Sequence, residues 1–213
     1  LVVTRQTLAF DHSRAHWLDA AEFERGFAAL DSARRPAQLD AGQAQQLQAV
    51  LDLYQGDFLE GFYLRDGQGF EEWATLLRER LRHLAREGFR TLASYQLKTG
   101  AYRDGIASAT RWRRLDPYSE EACRVQMWLY MRAGQPHLAV QCYRDFQTLL
   151  QADVGVAPGA NTAALFERLR ALPYPPPIDL PEPGAATVGR EAEMAAIESL
   201  LAAPGNRLVT LAG

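Results

Sequence analysis

The fold is decided by two stretches that align 34 residues apart: GAYRDGIASATRWRRL at residues 100–115 and GQPHLAVQCYRDFQTL at residues 134–149. Each begins with a glycine, the residue that commonly ends a helix, and continues with apolar residues at helical spacing. In this register small residues match at Gly105 and Ala139, and large aromatics match at Trp112 and Phe146. The other matched positions are Ile106 with Val140, Ala109 with Tyr143, and Leu115 with Leu149. Small residues let helices approach closely and large ones fill the groove to the next unit, so the pattern predicts two stacked helical hairpins.

Apolar spacing continues on both sides of these stretches. It predicts helices over about 19–32, after a cap at Asp40, and over 70–97, 102–115, 119–132, 136–150 and 161–171. The tetrad Asp19-Ala20-Ala21-Glu22 also predicts a capping box at the first helix. Strand patterns occur only near the two ends. We therefore expect an all-α array of helical hairpins, with a short β remnant at the N-terminus and the start of an α/β unit at the C-terminus.

A 34-residue period with two helices per unit resembles the tetratricopeptide repeat. The matching positions are Phe89, Leu92, Ala93, Gly100 and Pro117 in the first copy, and Tyr130, Gly134, Ala139 and Tyr143 in the second. A generic helical bundle is the alternative, because similar spacing also arises by chance in an α-rich chain. Stacked repeats share one core and leave a concave groove, which binds peptides or protein segments and has no chemistry of its own.

Four short motifs flank and join the repeats in a fixed order: YQGDFLEG at 54–61, FEEW at 70–73, LDPYSEEA at 115–122 and VGVAP at 154–158. Their order and spacing resemble the bacterial transcriptional activator domain of SARP-type and AfsR-like regulators, over about residues 19–172. In that family a winged helix–turn–helix precedes the helical domain, and residues 1–18 look like its end. The resemblance implies transcription regulation, with DNA bound by the missing upstream domain and no DNA-reading residue in this chain.

The C-terminal part carries a second resemblance. Clustered prolines over 173–184 predict an extended, stiff linker. Beyond it, VGRE at 188–191 and the apolar strand 208–211 resemble the opening of a STAND-class P-loop ATPase domain over 185–213. This resemblance implies that Val188, Gly189 and Arg190 lie beside the adenine and that Gly213 is the first glycine of the phosphate loop. A helix entry with a surface arginine at 190 is the alternative.

Composition excludes several function classes. Apolar residues make up 47% and charged residues 23%, as in ordinary globular domains, and no apolar run approaches the length of a membrane span. We expect a cytoplasmic fragment with an intact middle and no membrane partner. Cys123 and Cys142 are expected to be buried free thiols, and the four scattered histidines form no metal-ligand spacing.

No nucleophile or acid-pair motif is present, so we expect no enzyme activity. The lysine and serine or threonine of a phosphate loop are missing too, and no cofactor is expected in this chain. ATP and Mg²⁺ would belong to the full-length protein.

Charge is unevenly placed along the chain. Residues 36–74 carry seven acids and one base, whereas residues 75–115 carry ten bases and three acids. Three interpretations stay open: solvated helix faces, two blocks that meet across antiparallel helices, and a basic face that helps to hold DNA phosphate. The aromatic residues at core spacing are predicted to be core; they are Trp73, Trp112, Trp128, Tyr95, Tyr130 and Tyr143.

Three functions compete at this stage. The first is a regulatory module that couples an upstream DNA-binding domain to a nucleotide-dependent switch, with the transcription machinery or its own flanking domains as protein partners. The second is a stand-alone scaffold of tetratricopeptide type, and the third is a fragment of an ATPase. A helix–turn–helix encoded directly upstream would favour the first, and a Gly-Lys-Ser/Thr sequence directly after Gly213 would favour the third.

Overall fold

The computed structural model describes residues 2–3, 8–9, 13, 15–33, 39–64 and 67–171, and helical residues at 195, 196 and 199. Its seven described α-helices are α1 (Asp19–Ala33), α2 (Ala41–Leu51), α3 (Gln68–Thr99), α4 (Tyr102–Leu115), α5 (Glu120–Arg132), α6 (Pro136–Asp153) and α7 (Ala160–Ala171). Two dipeptides, β1 (Val2–Val3) and β2 (Leu8–Ala9), pair antiparallel. The all-α prediction is confirmed for the helical array. The assignment of residues 1–18 to a winged helix–turn–helix stays a prediction.

The chain divides into two units, Leu1–Leu172 and Pro173–Gly213. All seven helices belong to the first unit, and few residues of the second are described. The site residues predicted from the ATPase resemblance, Val188, Gly189, Arg190 and Gly213, lie outside the described residues, as do the linker and the strand at 208–211.

Both repeat glycines end a helix, as the sequence predicts. Gly100 caps α3 at φ 85°, and Gly134 follows α5 at φ 73°. At α5 the Gly134 N–H donates to the Met131 carbonyl at 3.1 Å, and the Gln135 N–H donates to the Tyr130 carbonyl at 2.8 Å. These two bonds form a Schellman motif, which needs a left-handed residue that glycine adopts without steric cost.

The capping box occurs at a different helix from the predicted one. At α2 the Asp40 side chain accepts from the Gln43 N–H, and the Gln43 side chain accepts from the Asp40 N–H. The predicted box at Asp19 is wrong, because Asp19 is itself the first residue of α1 and Glu22 pairs with Arg25 one turn further on. A capping residue has to precede the helix, which the sequence pattern alone does not show.

The helices form two layers of stacked hairpins. Each odd-numbered helix packs against the next odd-numbered one, so α1, α3, α5 and α7 form one layer. In the described part of the chain, the backbones of α2, α4 and α6 approach only those of their chain neighbours, and these helices form the other layer. This alternation is the arrangement of tetratricopeptide hairpins and excludes the generic bundle.

The register positions of the repeat lie in the core. Trp112 and Phe146 are 2% and 0% exposed, as predicted. A Cβ at Gly105 would lie 2.4 Å from Leu129 Cδ2, and the equivalent Ala139 is fully buried. The small residues therefore do allow α4 and α6 to approach α5 closely. Both cysteines are buried free thiols, as expected.

Helix α3 is longer than the repeat requires. It begins at Gln68, whereas the first residue of α5 corresponds to position 86 in the repeat register. The prediction that Trp73 belongs to the core is wrong: it is 50% exposed, and Leu76 is 74% exposed. Both lie in the first three turns of this extension, where part of the apolar surface has no covering helix. Of the other predicted core aromatics, Tyr95, Trp128 and Tyr130 are half-buried and Tyr143 is buried.

Candidate functional site

The α3 extension and the loop before it carry an exposed apolar surface, which we call the aromatic patch. Its members are all exposed large apolar side chains: Leu59, Phe62, Tyr63, Leu64, Trp73 and Leu76. Rings beneath them are in contact, since Phe70 lies 5.7 Å from Phe62 and 5.6 Å from Trp73 between ring centroids. Trp73 also meets Phe58 edge-on at 5.7 Å. The aromatic rings at the centre of the patch are thus linked by contacts through Phe70 and are not isolated side chains.

Polar contacts from α3 hold the loop in place. Arg82 makes a two-pronged ion pair with Asp57, and the Tyr54 hydroxyl donates to the same carboxylate at 2.9 Å. Arg78 Nε donates to the Phe58 carbonyl at 3.1 Å. Arginine forks of this kind fix geometry as well as charge, so the patch is presented on an anchored loop.

The contacts that hold the loop also shift the pKa values of Asp57 and Tyr54. Burial acts to raise the pKa of Asp57, but the hydrogen bonds from Arg82 and Tyr54 together outweigh it and leave that pKa lowered. Burial, and then the Asp57 carboxylate, raise the pKa of Tyr54 to about 12. The tyrosine therefore remains a neutral donor and the aspartate an ionised acceptor at neutral pH.

The rim of the patch is acidic. Glu60 and Glu72 are exposed, and Glu71 accepts from the Leu64 N–H at 3.2 Å. Carboxylates at this edge repel an anionic partner such as DNA phosphate or an anionic lipid headgroup. The rim therefore favours a cationic protein surface over nucleic acid.

Half of the ten bases in the block of residues 75–115 form ion pairs with acids. Its ion pairs within the described residues are Arg80 with Glu24, Arg82 with Asp57, Arg86 with Asp116, Arg90 with Glu87 and Glu121, and Arg111 with Asp52. The pairs at Asp52 and Asp57 join the acidic block to the basic one, which confirms the second interpretation of the charge pattern at these two points. The other five bases form no ion pair within the described residues, so the interpretation as a face for DNA phosphate stays open; they are Arg78, Lys98, Arg103, Arg113 and Arg114.

The described residues contain neither a membrane-spanning helix nor a cluster of metal ligands. Among the described helices, none combines the length and apolar character that crossing a bilayer requires. Within the ranges that the structure describes, no three His, Cys, Asp or Glu side chains come together as metal ligands.

Sequence reasoning missed the aromatic patch. The signal was present in the run Phe62-Tyr63-Leu64, three large apolar residues in a turn-rich loop. Trp73 and Leu77 share a helical stripe, which pointed to the core. Periodicity shows which residues share a face but not whether another element covers that face.

Comparison with known proteins adds one positive finding. The family model described as bacterial transcriptional activator domain matches residues 18–170. Comparison with curated proteins gives no match. The matched range runs from the residue before α1 almost to the end of α7, so it contains the whole array and the aromatic patch.

Proposed function

Because the chain belongs to the bacterial transcriptional activator domain family, we propose that its helical array is the interaction module of a multidomain transcription regulator. In this proposal the module couples an upstream DNA-binding domain to a nucleotide-dependent switch downstream. The observation that carries it is the aromatic patch with its acidic rim. Exposed apolar surface rimmed by polar residues is typical of protein–protein contact sites.

The proposed occupant of the patch is the DNA-binding domain that precedes α1. The first residues of α1, Asp19 and Ala20, line a hollow together with Phe58 and Leu59, so the chain enters the array beside the patch. Trp17 and Leu18 directly before α1 are exposed as well. DNA-binding domains are basic, which complements the acidic rim.

The nucleotide-dependent half of the proposal is supported by the resemblance at 188–191 alone. In the full-length protein Val188, Gly189 and Arg190 would form one wall of the adenine site, and Gly213 would open the phosphate loop. ATP and Mg²⁺ would then bind largely to residues that follow Gly213. A stand-alone scaffold remains the alternative if no DNA-binding domain is encoded upstream.

The test uses the full-length regulator in its host. A patch variant, Trp73→Ser with Leu76→Ser, is compared with a control variant, Val154→Ser with Val156→Ser, which removes exposed apolar side chains elsewhere on the array. We expect the patch variant to lose about tenfold in promoter activation and to release the upstream domain to limited proteolysis, as loss of an interface hot spot does. The control should behave as the unaltered protein.

Two outcomes would overturn the proposal. The first is unchanged activation and unchanged proteolysis in the patch variant, provided that its thermal midpoint is also unchanged. The second is an upstream coding sequence with no helix–turn–helix, which would leave the stand-alone scaffold.

A further inference from the structure

The layer of even-numbered helices leaves a gap between α2 and α4, and α3 forms its floor. This gap, the α2–α4 cleft, has a volume of about 580 Å³, within the range of small-molecule sites. Gln48 and Asp52 line it from α2, and Asp104, Ser108 and Arg111 line it from α4. Polar side chains thus stand on both walls, whereas Phe89 and Leu92 contribute apolar surface from the floor.

Two buried polar side chains face this cleft without a protein partner. Gln96 on the floor is 6% exposed, and its Oε1 atom has no hydrogen bond. Ser108 on the wall is 3% exposed, and its hydroxyl makes no hydrogen bond within the part of the chain that the structure describes. A buried polar group without a partner destabilises the folded chain, so such groups call for an explanation.

The next gap along the array, between α4 and α6 over α5, also has a glutamine on its floor but is closed. That glutamine, Gln126, corresponds in the repeat register to Leu92, one helical turn before Gln96. There Arg113 reaches in from α4 and donates to Gln126 Oε1 at 2.9 Å, with its NH1 atom also 3.3 Å from Cys142 Sγ. Gln126 Nε2 donates to Thr110 Oγ1 at 2.9 Å. A guanidinium therefore satisfies the floor glutamine. Cys142 is the register equivalent of Ser108, so the guanidinium lies beside the position that corresponds to Ser108 in the α2–α4 cleft.

The charge of the α2–α4 cleft favours a cation. Arg111 is already engaged at the end of α2, where it pairs with Asp52 at 3.4 Å and donates to the carbonyls of Leu51 and Tyr54. Asp104 is exposed at the rim and has no ion-pair partner within the described residues. The open acceptors are thus one carboxylate, one amide oxygen and one hydroxyl.

We propose that the α2–α4 cleft binds an organic cation with several N–H donors, a guanidinium or an alkylammonium group, much as the neighbouring gap holds the guanidinium of Arg113. The group would donate to Ser108 Oγ and pair with Asp104. It would reach Gln96 Oε1, which is shielded from solvent, after a rotation of that side-chain amide. Its source is either an arginine or lysine side chain of a partner segment or a free small molecule. The inference is independent of the proposed docking at the aromatic patch.

The first experiment measures binding by calorimetry and by the shift in thermal midpoint, with the 213-residue chain. The probes are free L-arginine, agmatine and the peptide acetyl-Ala-Arg-Ala-amide, with L-citrulline as a neutral analogue of arginine and acetate as an anion. We expect the guanidinium probes to bind and citrulline to bind at least about tenfold more weakly, because its urea group lacks the charge. Preference for the peptide identifies a protein segment as the source, and preference for agmatine or free arginine identifies a small molecule.

The second experiment tests where the guanidinium probe binds by comparing its affinity for variants of the cleft residues. Gln96→Met removes the floor acceptor at similar volume, and Asp104→Asn removes the rim charge. Each should weaken the guanidinium probe about tenfold or more, the loss expected for one charge-assisted hydrogen bond. Arg103→Gln, which neutralises the exposed neighbour of Asp104, is the matched control and should not weaken binding. The thermal midpoint of Gln96→Met without ligand shows that the variant is folded.

The proposal is wrong if no guanidinium probe binds at up to about 10 mM, where even a weak site would be filled. It is equally wrong if citrulline or acetate binds as well as arginine, or if Gln96→Met binds arginine like the unaltered chain.

Discussion

Hairpins α3–α4 and α5–α6 share one register but differ in the gap that lies over their first helix. Over α3 this gap lies between α2 and α4, and over α5 it lies between α4 and α6. At the matched positions both bury a large aromatic, Trp112 in one and Phe146 in the other. The gap above α5 is closed by Arg113 and its bond to Gln126, whereas the gap above α3 stays open with Gln96 unpaired. The matched positions thus carry the packing that any stacked hairpin needs. The unmatched ones are free to differ, and they are where binding surfaces arise.

The largest loss of stability is expected at the positions where both hairpins bury a large aromatic residue. Trp112→Ala and Phe146→Ala should each lower the free energy of unfolding by about 3–5 kcal/mol, because each removes a fully buried ring and leaves a cavity. Urea unfolding followed by circular dichroism measures both. Trp73→Ala is the control and should cost well under half as much, since half of its ring is already in water. Equal losses at Trp73 and Trp112 would contradict the division into packing and surface positions.

A smaller effect is expected at the matched small residues. Gly105→Ala should destabilise the chain by about 1–3 kcal/mol, because the new methyl group would lie 2.4 Å from Leu129 Cδ2 in a filled core. This loss outweighs the gain of about 1 kcal/mol that alanine brings to a helix. Ala139→Gly should cost about 1 kcal/mol through helix propensity alone. A stabilised Gly105→Ala variant would mean that α4 and α5 are not in close contact.

The sequence was sufficient to predict the features that the two hairpins share, but not the features in which they differ. Gly100 and Gly134 mark helix ends through local backbone chemistry, and the spacing of Trp112 and Phe146 reports a face that each hairpin must bury. The helical spacing of Trp73 predicts a core position, although half of its side chain is exposed. Gln96 gave no signal at all, because its missing partner would have to come from helices that are distant in sequence.

The two floor glutamines should respond with opposite signs to one substitution. Gln126→Met would remove the hydrogen bonds of the Gln126 amide to Arg113 and Thr110 and leave the Arg113 NH1 group with Cys142 Sγ as its close partner, so it should cost about 1–3 kcal/mol. Gln96→Met removes an acceptor that is already unpaired, so it should be neutral or stabilise the chain by up to about 1 kcal/mol. Thermal and urea unfolding of the two variants compare them directly. A loss of equal size at both positions would show that Gln96 does have a partner.

The smallest loss of stability is expected at the loop contacts of the α3 extension, which has no counterpart in α5. Asp57→Asn removes the charge that Arg82 and Tyr54 hold and should destabilise the chain by about 1 kcal/mol at pH 7, as expected for a partly exposed ion pair. Because folding lowers the pKa of Asp57, its contribution is present above the ordinary value of 3.8 and is lost as the pH falls through the lowered pKa. The difference between the unaltered chain and the variant should therefore shrink between about pH 6 and pH 2. In an Arg82→Met background most of this pH dependence should vanish, because Arg82 supplies the main force that lowers the pKa. A difference that stays constant over this range would show that the carboxylate does not need its charge to anchor the loop, and that α3 presents the aromatic patch by backbone packing alone.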